Sequence, residues 1–183
     1  MEIKSKCRTV LFFGFLGTVI LGTLFHFAFS YSGYSTLVGA FTPVNESVWE
    51  HLKLLLFPTV LISIGEYLLC GRNKNGYIIS KIISLLIGLV FIITAFYTYT
   101  GISGSESFIA DIIIFILSCA ITSFLTCIFM NSKLIKFNDS KTIIAILILT
   151  ALILMFVYFT FDPPMLELFR DPISEDFGIQ YDI

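Results

Sequence analysis

Apolar residues in this chain fall in long, nearly unbroken runs, not in the alternation of a half-buried strand or the three-and-four spacing of a soluble amphipathic helix. Five runs, about 9 to 30, 53 to 71, 77 to 100, 107 to 131 and 141 to 161, come close to or exceed the roughly 20 residues that a helix needs to cross about 30 Å of hydrocarbon. The pattern predicts an all-α fold, an integral membrane bundle of five transmembrane helices. Residues 1–161 form one transmembrane domain and residues 162–183 a short outer tail packing on the bundle's outer face.

Between the runs the connections are short and turn-like: "GRNKNG", "TGISGSES" and "NSKLIKFNDS". Two polar stretches are longer, the linker from Tyr31 to His51 and the tail from Asp162. Within the linker, "YSGYSTLVGAF" is too short to span and too apolar to lie free in water, so it reads as re-entrant or interfacial. Thr42 with Pro43, or Ser47 with Glu50 in the S-x-x-E spacing, starts the next helix. That helix runs through Pro58, which is expected to kink it. The "DPP" at 162–164 stops the fifth helix, and Leu166, Leu168, Phe169, Phe177 and Ile179 give the tail enough apolar surface to dock over the outer mouth of the bundle.

Composition agrees with the runs: 183 residues, 57% hydrophobic and only 13% charged, far from the usual soluble range. The lipid bilayer is therefore the first partner, and no basic, aromatic-laced surface suggests nucleic acid. The order of the charges sets the orientation. Of 11 Lys and Arg, nine (Lys4, Lys6, Arg8, Arg72, Lys74, Lys81, Lys133, Lys136 and Lys141) fall on one side, leaving Lys53 and Arg170 on the other. This asymmetry places the N-terminus in the cytoplasm and the C-terminus outside. Ten of the 13 acids, Asp182 among them, then gather at the outer face. "KSKCR" before the first run resembles the start of a secretory signal, but the run is too long and lacks a small-residue cleavage site, so it reads as a retained anchor. Cys7, Cys70, Cys119 and Cys127 lie at the inner end or within the bilayer, which argues against a disulfide framework.

Against this background "FTPVNESVWEHLK", Phe41 to Lys53, concentrates polar chemistry beside runs of Leu, Ile and Phe. Glu46 and Glu50, spaced one helical turn apart, project to one side, with Ser47 and His51 on an adjacent strip. The first helix carries Gly14, Thr18, Gly22, His26 and Ser30 at intervals of four, a ridge of small residues that turns His26 toward protein. Asp111, on a ridge with Phe115, Cys119 and Ser123, needs a partner, and His26 lies at matching depth. An outer pocket of His26, Glu46, Glu50, His51 and Asp111 is expected, with His26, His51 and Glu50 as candidate ligands for a divalent metal. Structural readings stand beside these. Glu50 is equally a capping acid, Asn45 a turn residue or a glycosylation acceptor, Trp49 an interfacial anchor, and His26 a hydrogen-bonding bridge between helices. Glu66 is expected to form a structural ion pair with Arg72 or Lys81.

"GISG", Gly101 to Gly104, copies a serine-protease element but lies in a predicted loop with no His after it. H-E-x-x-H is absent, and no glycine-rich phosphate loop occurs.

The blocks "PVNESVWEHLKLLLFP", "LFHFAFSYSGY", "FYTYTG" and "FTFDPPMLELFRDP" with "FGI" make the chain similar, over nearly its whole length, to a family of small multi-pass bacterial membrane proteins defined only as a domain of unknown function. The resemblance implies a bacterial cytoplasmic-membrane location and the same topology, and it supplies no activity, substrate or cofactor. This chain departs from the family pattern in lacking an acid just after His26 and in continuing "QYDI" beyond "FGI".

Three functions fit these residues. The first is a component for transport or sensing whose pocket binds a cation or a small polar ligand. Transport would need a homo-oligomer or a partner membrane protein, because no inverted repeat is visible. The second is a membrane-embedded metal-dependent hydrolase, and the third is a structural or accessory protein without a ligand.

Overall fold

A computed structural model gives the fold over residues 2–73, 76–132 and 138–179. Lys74, Lys133, Lys136, Asp182 and the closing "QYDI" lie outside these residues, as does the side chain of Lys4. The described residues are helical, without a strand. The long helices are α1 (Glu2–Tyr31), α3 (Val48–Leu69), α4 (Tyr77–Ser103), α5 (Phe108–Asn131) and α6 (Asp139–Phe161), and α2 (Thr36–Gly39) is a single turn in the linker. Five helices are long and apolar enough to cross a membrane. The last turn of α4 absorbs Gly101 to Ser103, so the "GISG" stretch is mostly helix end and not loop; Gly104 closes it at φ 75°, a left-handed value natural to glycine.

Helix α1 packs along α3 and α5, α4 lies against α3, α5 and α6, and α6 is the least buried of the five. The glycine ridge of α1 permits the first of these contacts. A Cβ on Gly22 would stand 2.6 Å from the Leu54 carbonyl oxygen and 2.6 Å from the Phe115 ring. Pro58, four residues after Leu54 within α3, has no N–H to offer that carbonyl. The glycine of α1 is thus pressed against the oxygen within α3 whose helical donor Pro58 removes.

The helix after the linker begins at Ser47, not at Thr42. Ser47 Oγ accepts from the Glu50 amide at 3.3 Å, as an N-cap should. The reciprocal half of a capping box is absent. Ser47 N–H goes to Asn45 Oδ1 at 3.0 Å, while Glu50 reaches further back to accept from Val44 N–H at 3.0 Å.

The tail docks. Ile179 N–H donates to the Thr160 carbonyl at 2.8 Å, and Asn45 Nδ2 donates to the Gly178 carbonyl at 3.0 Å. Phe169 lies 4.7 Å from the Trp49 ring and 5.3 Å from Phe159. Leu166, expected to help, is exposed instead, whereas Phe169 and Ile179 are buried. Trp49 is not an interfacial anchor. Its ring is buried, stacked on Phe156 at 4.1 Å, in the cluster that joins α3, α6 and the tail.

Candidate functional site

The start of α3 presents two faces, because residues three and four apart share a side of a helix. Glu50 and Lys53 lie on one, and Val48, His51 and Leu54 on the other. The two faces do different things.

On the first, Lys53 is wholly buried, with Nζ 2.6 Å from Glu50 Oε2. The ammonium also donates to Thr160 Oγ1 at 2.6 Å, to the Gly39 carbonyl at 3.0 Å and to the Thr42 carbonyl at 3.3 Å. One cation therefore holds the linker, α3 and the end of α6 together. Glu50 is committed to this pair and to Val44, and it does not line the cavity formed by the other predicted residues. Sequence reasoning placed Glu46 and Glu50 on one side of a helix. The helix begins only at Val48, so Glu46 precedes it and the two carboxylates diverge. The importance of Lys53 was missed, although the E-x-x-K spacing at 50 and 53 carried the signal.

On the second face, His26, Glu46 and His51 come together, each offering a ligand atom within 4.8 Å of the others. The His26 and His51 ring centres are 5.2 Å apart. His51 Nδ1 lies 3.0 Å from the Ser47 carbonyl, which can only accept, so Nδ1 carries the proton. His51 Nε2 then points at Glu46 Oε2 across 3.4 Å. In the neutral ring these are two acceptors facing each other, an arrangement that needs a proton or a cation between them. His26 Nδ1 is buried and without a partner among the described residues.

These three side chains sit at the polar end of a cavity of about 450 Å³, within the usual size for a small-molecule site. Asp111 and Glu106 line the same cavity. The partner of Asp111 is Tyr99 of α4, whose hydroxyl donates to Oδ1 at 2.6 Å, and not His26 as matching depth suggested. Tyr99 also accepts the Ser107 amide at 3.1 Å, which fixes the entry of the chain into α5. Below the polar end the walls are Val19 and Thr23 of α1, Leu54 of α3 and Ile114 to Ile116 of α5. Pro172 and Ile173 bring the tail to the rim.

Glu66 lies away from this site, on the last turns of α3. Its Oε2 accepts from Tyr77 Oη at 2.5 Å and pairs with Lys81 Nζ at 2.7 Å, both partners being on α4. The expected structural pair is therefore with Lys81; Arg72 is exposed. Gly14 makes room for it, since a Cβ there would fall 1.8 Å from Glu66 Oε1.

Residues 1–179 match a family of unknown function, DUF6512. The chain belongs to that family. No curated protein and no solved structure matches it. Membership in DUF6512 assigns no chemistry, so the cavity's residues carry the functional argument.

Proposed function

We propose that this protein is a multi-pass component of a bacterial cytoplasmic membrane that binds a divalent transition metal through His26, Glu46 and His51. The excess of Lys and Arg at the ends away from the linker supports an N-terminus in the cytoplasm and a cavity opening outward under the tail. The observation that carries the metal reading is the facing of His51 Nε2 and Glu46 Oε2 at 3.4 Å, with the other ring nitrogen fixed on Ser47.

Two imidazoles and a carboxylate are borderline donors that suit zinc and its neighbours better than calcium or magnesium. Ligand atoms bound at about 2.1 Å on a tetrahedron stand roughly 3.4 Å apart. The Glu46 and His51 atoms already have that spacing, and a turn of the His26 ring brings the third donor in. The fourth position is left to the cavity. Sensing needs nothing more than this chain, whereas transport calls for a second copy or a partner membrane protein.

Metal analysis of protein purified without chelator tests the reading. One zinc, manganese, cobalt or nickel ion per chain is expected, falling at least tenfold in His51→Ala and Glu46→Gln while Glu50→Gln, outside the cavity, keeps whatever metal its folded fraction can hold. Purified, folded protein that neither carries nor takes up any of these ions would sink it.

A further inference from the structure

The cavity is polar at one end and apolar for the rest of its length. His26 and Val19 are seven residues apart on α1, so the apolar part descends about 10 Å from the ligand cluster, two helical turns into the span. Its side toward the bilayer is rimmed by Phe27, Phe108, Ile112 and Ile116, all exposed, on helices long enough to cross a membrane. That rim is apolar, as a sideways entry from the hydrocarbon layer would require.

Charge narrows the occupant further. Glu46, Glu106 and Asp111 line the cavity, and no Lys or Arg does so among the described residues. With neutral imidazoles and a bound divalent ion, these three carboxylates would leave the lining with a net negative charge. An anionic head is disfavoured there. A primary amine suits both parts of the lining, because bound as the free base at the open fourth position of the metal it keeps N–H groups that can donate to Asp111 and Glu106.

We propose that the cavity binds an amine-headed, long-chain lipid, with the head at the metal and the carboxylates and the hydrocarbon chain between α1 and α5 along Val19, Ile114 and Ile116. This assignment rests on the metal reading above. It adds the class of ligand and the route by which the ligand arrives.

Cobalt-loaded protein in phosphatidylcholine nanodiscs tests both, because the visible spectrum of the ion reports its ligands. Dodecylamine and butylamine are each titrated into wild type, Ile116→Trp and Val19→Phe. Both substitutions fill the apolar part of the cavity away from the ligand atoms. Both amines should alter the wild-type spectrum. In the variants the half-saturating dodecylamine concentration should rise tenfold or more, while the butylamine response stays as in wild type. Responses to the two amines that move together, or that do not move at all, would overturn the lipid assignment and leave the metal site standing. Cobalt that gives no histidine-ligated spectrum in wild-type protein would overturn the metal reading instead.

Discussion

Lys53 Nζ lies 2.6 Å from Glu50 Oε2, and neither side chain is more than 2% exposed. The pair sits at the start of α3, where linker and tail meet, and it makes the polar block of the sequence structural on one face so that the other face is free for His51. A buried pair of this kind is destabilising to break and much less so to remove whole, because breaking it leaves an uncompensated charge.

Lys53→Met should therefore cost about 3 to 5 kcal/mol. Glu50→Gln, which also weakens the contact to Val44, should be of similar size. The double variant should cost clearly less than the two together, with a coupling of about 1 to 3 kcal/mol. Denaturant titration of the four proteins in one detergent gives the cycle. Simple additivity would mean that the pair is not a unit.

The three glycines Gly14, Gly22 and Gly65 form a graded test of helix packing. Gly65 has nothing within 4 Å of a built Cβ, so Gly65→Ala should be neutral or stabilising by up to about 1 kcal/mol. Gly14→Ala drives Glu66 from its place, although that obstacle is a side chain that can move. Gly22→Ala meets the Leu54 backbone oxygen, which cannot move without moving α3. The expected order of melting temperatures is Gly65→Ala highest, then Gly14→Ala, then Gly22→Ala, the last losing about 1 to 3 kcal/mol or more.

Much of this arrangement was legible in the chain, for identifiable reasons. Long apolar runs gave the five helices because length against bilayer thickness is a local property. The DPP stop and the apolar residues behind it likewise pointed to a docked tail. What the sequence hid were relations set by a single helix start. With Ser47 as N-cap, Glu46 leaves the helix and Glu50 turns inward, so the residue that joins His26 and His51 as a candidate ligand is Glu46 and not Glu50. Tyr99, the partner of Asp111, lies 12 residues earlier across a helix hairpin. Nothing in the spacing distinguished it from the other tyrosines of that segment.

Asn45 ties the linker to the tail through one amide: Oδ1 takes the Ser47 N–H and Nδ2 gives to the Gly178 carbonyl. Asn45→Ala removes both bonds, at a cost of about 1 kcal/mol each. Asn45→Asp keeps the acceptor and loses the donor. Limited proteolysis from the tail side should cut Asn45→Ala fastest, Asn45→Asp at an intermediate rate and wild type slowest. Equal rates would mean that the remaining contacts, Ile179 to Thr160 and Phe169 on Trp49, hold the tail without Asn45.

On the proposed metal reading, proton and metal compete for the same nitrogen of His51. With Nδ1 committed to the Ser47 carbonyl, Nε2 can hold a proton toward Glu46 or a metal ion, but not both. His26 must also be unprotonated to bind, so protons would compete with the metal at both ligand nitrogens. The sign is fixed: affinity falls as pH falls. Stabilisation by metal, which grows as the logarithm of its concentration over the dissociation constant, should be larger at pH 8 than at pH 5. Metal-free protein should change less over the same range, because a protonated His51 keeps its contact with Glu46. Melting curves with and without zinc at the two pH values measure the difference directly. In His51→Ala the zinc-dependent increment should vanish at both, while an increment that survives that substitution would place the ion elsewhere.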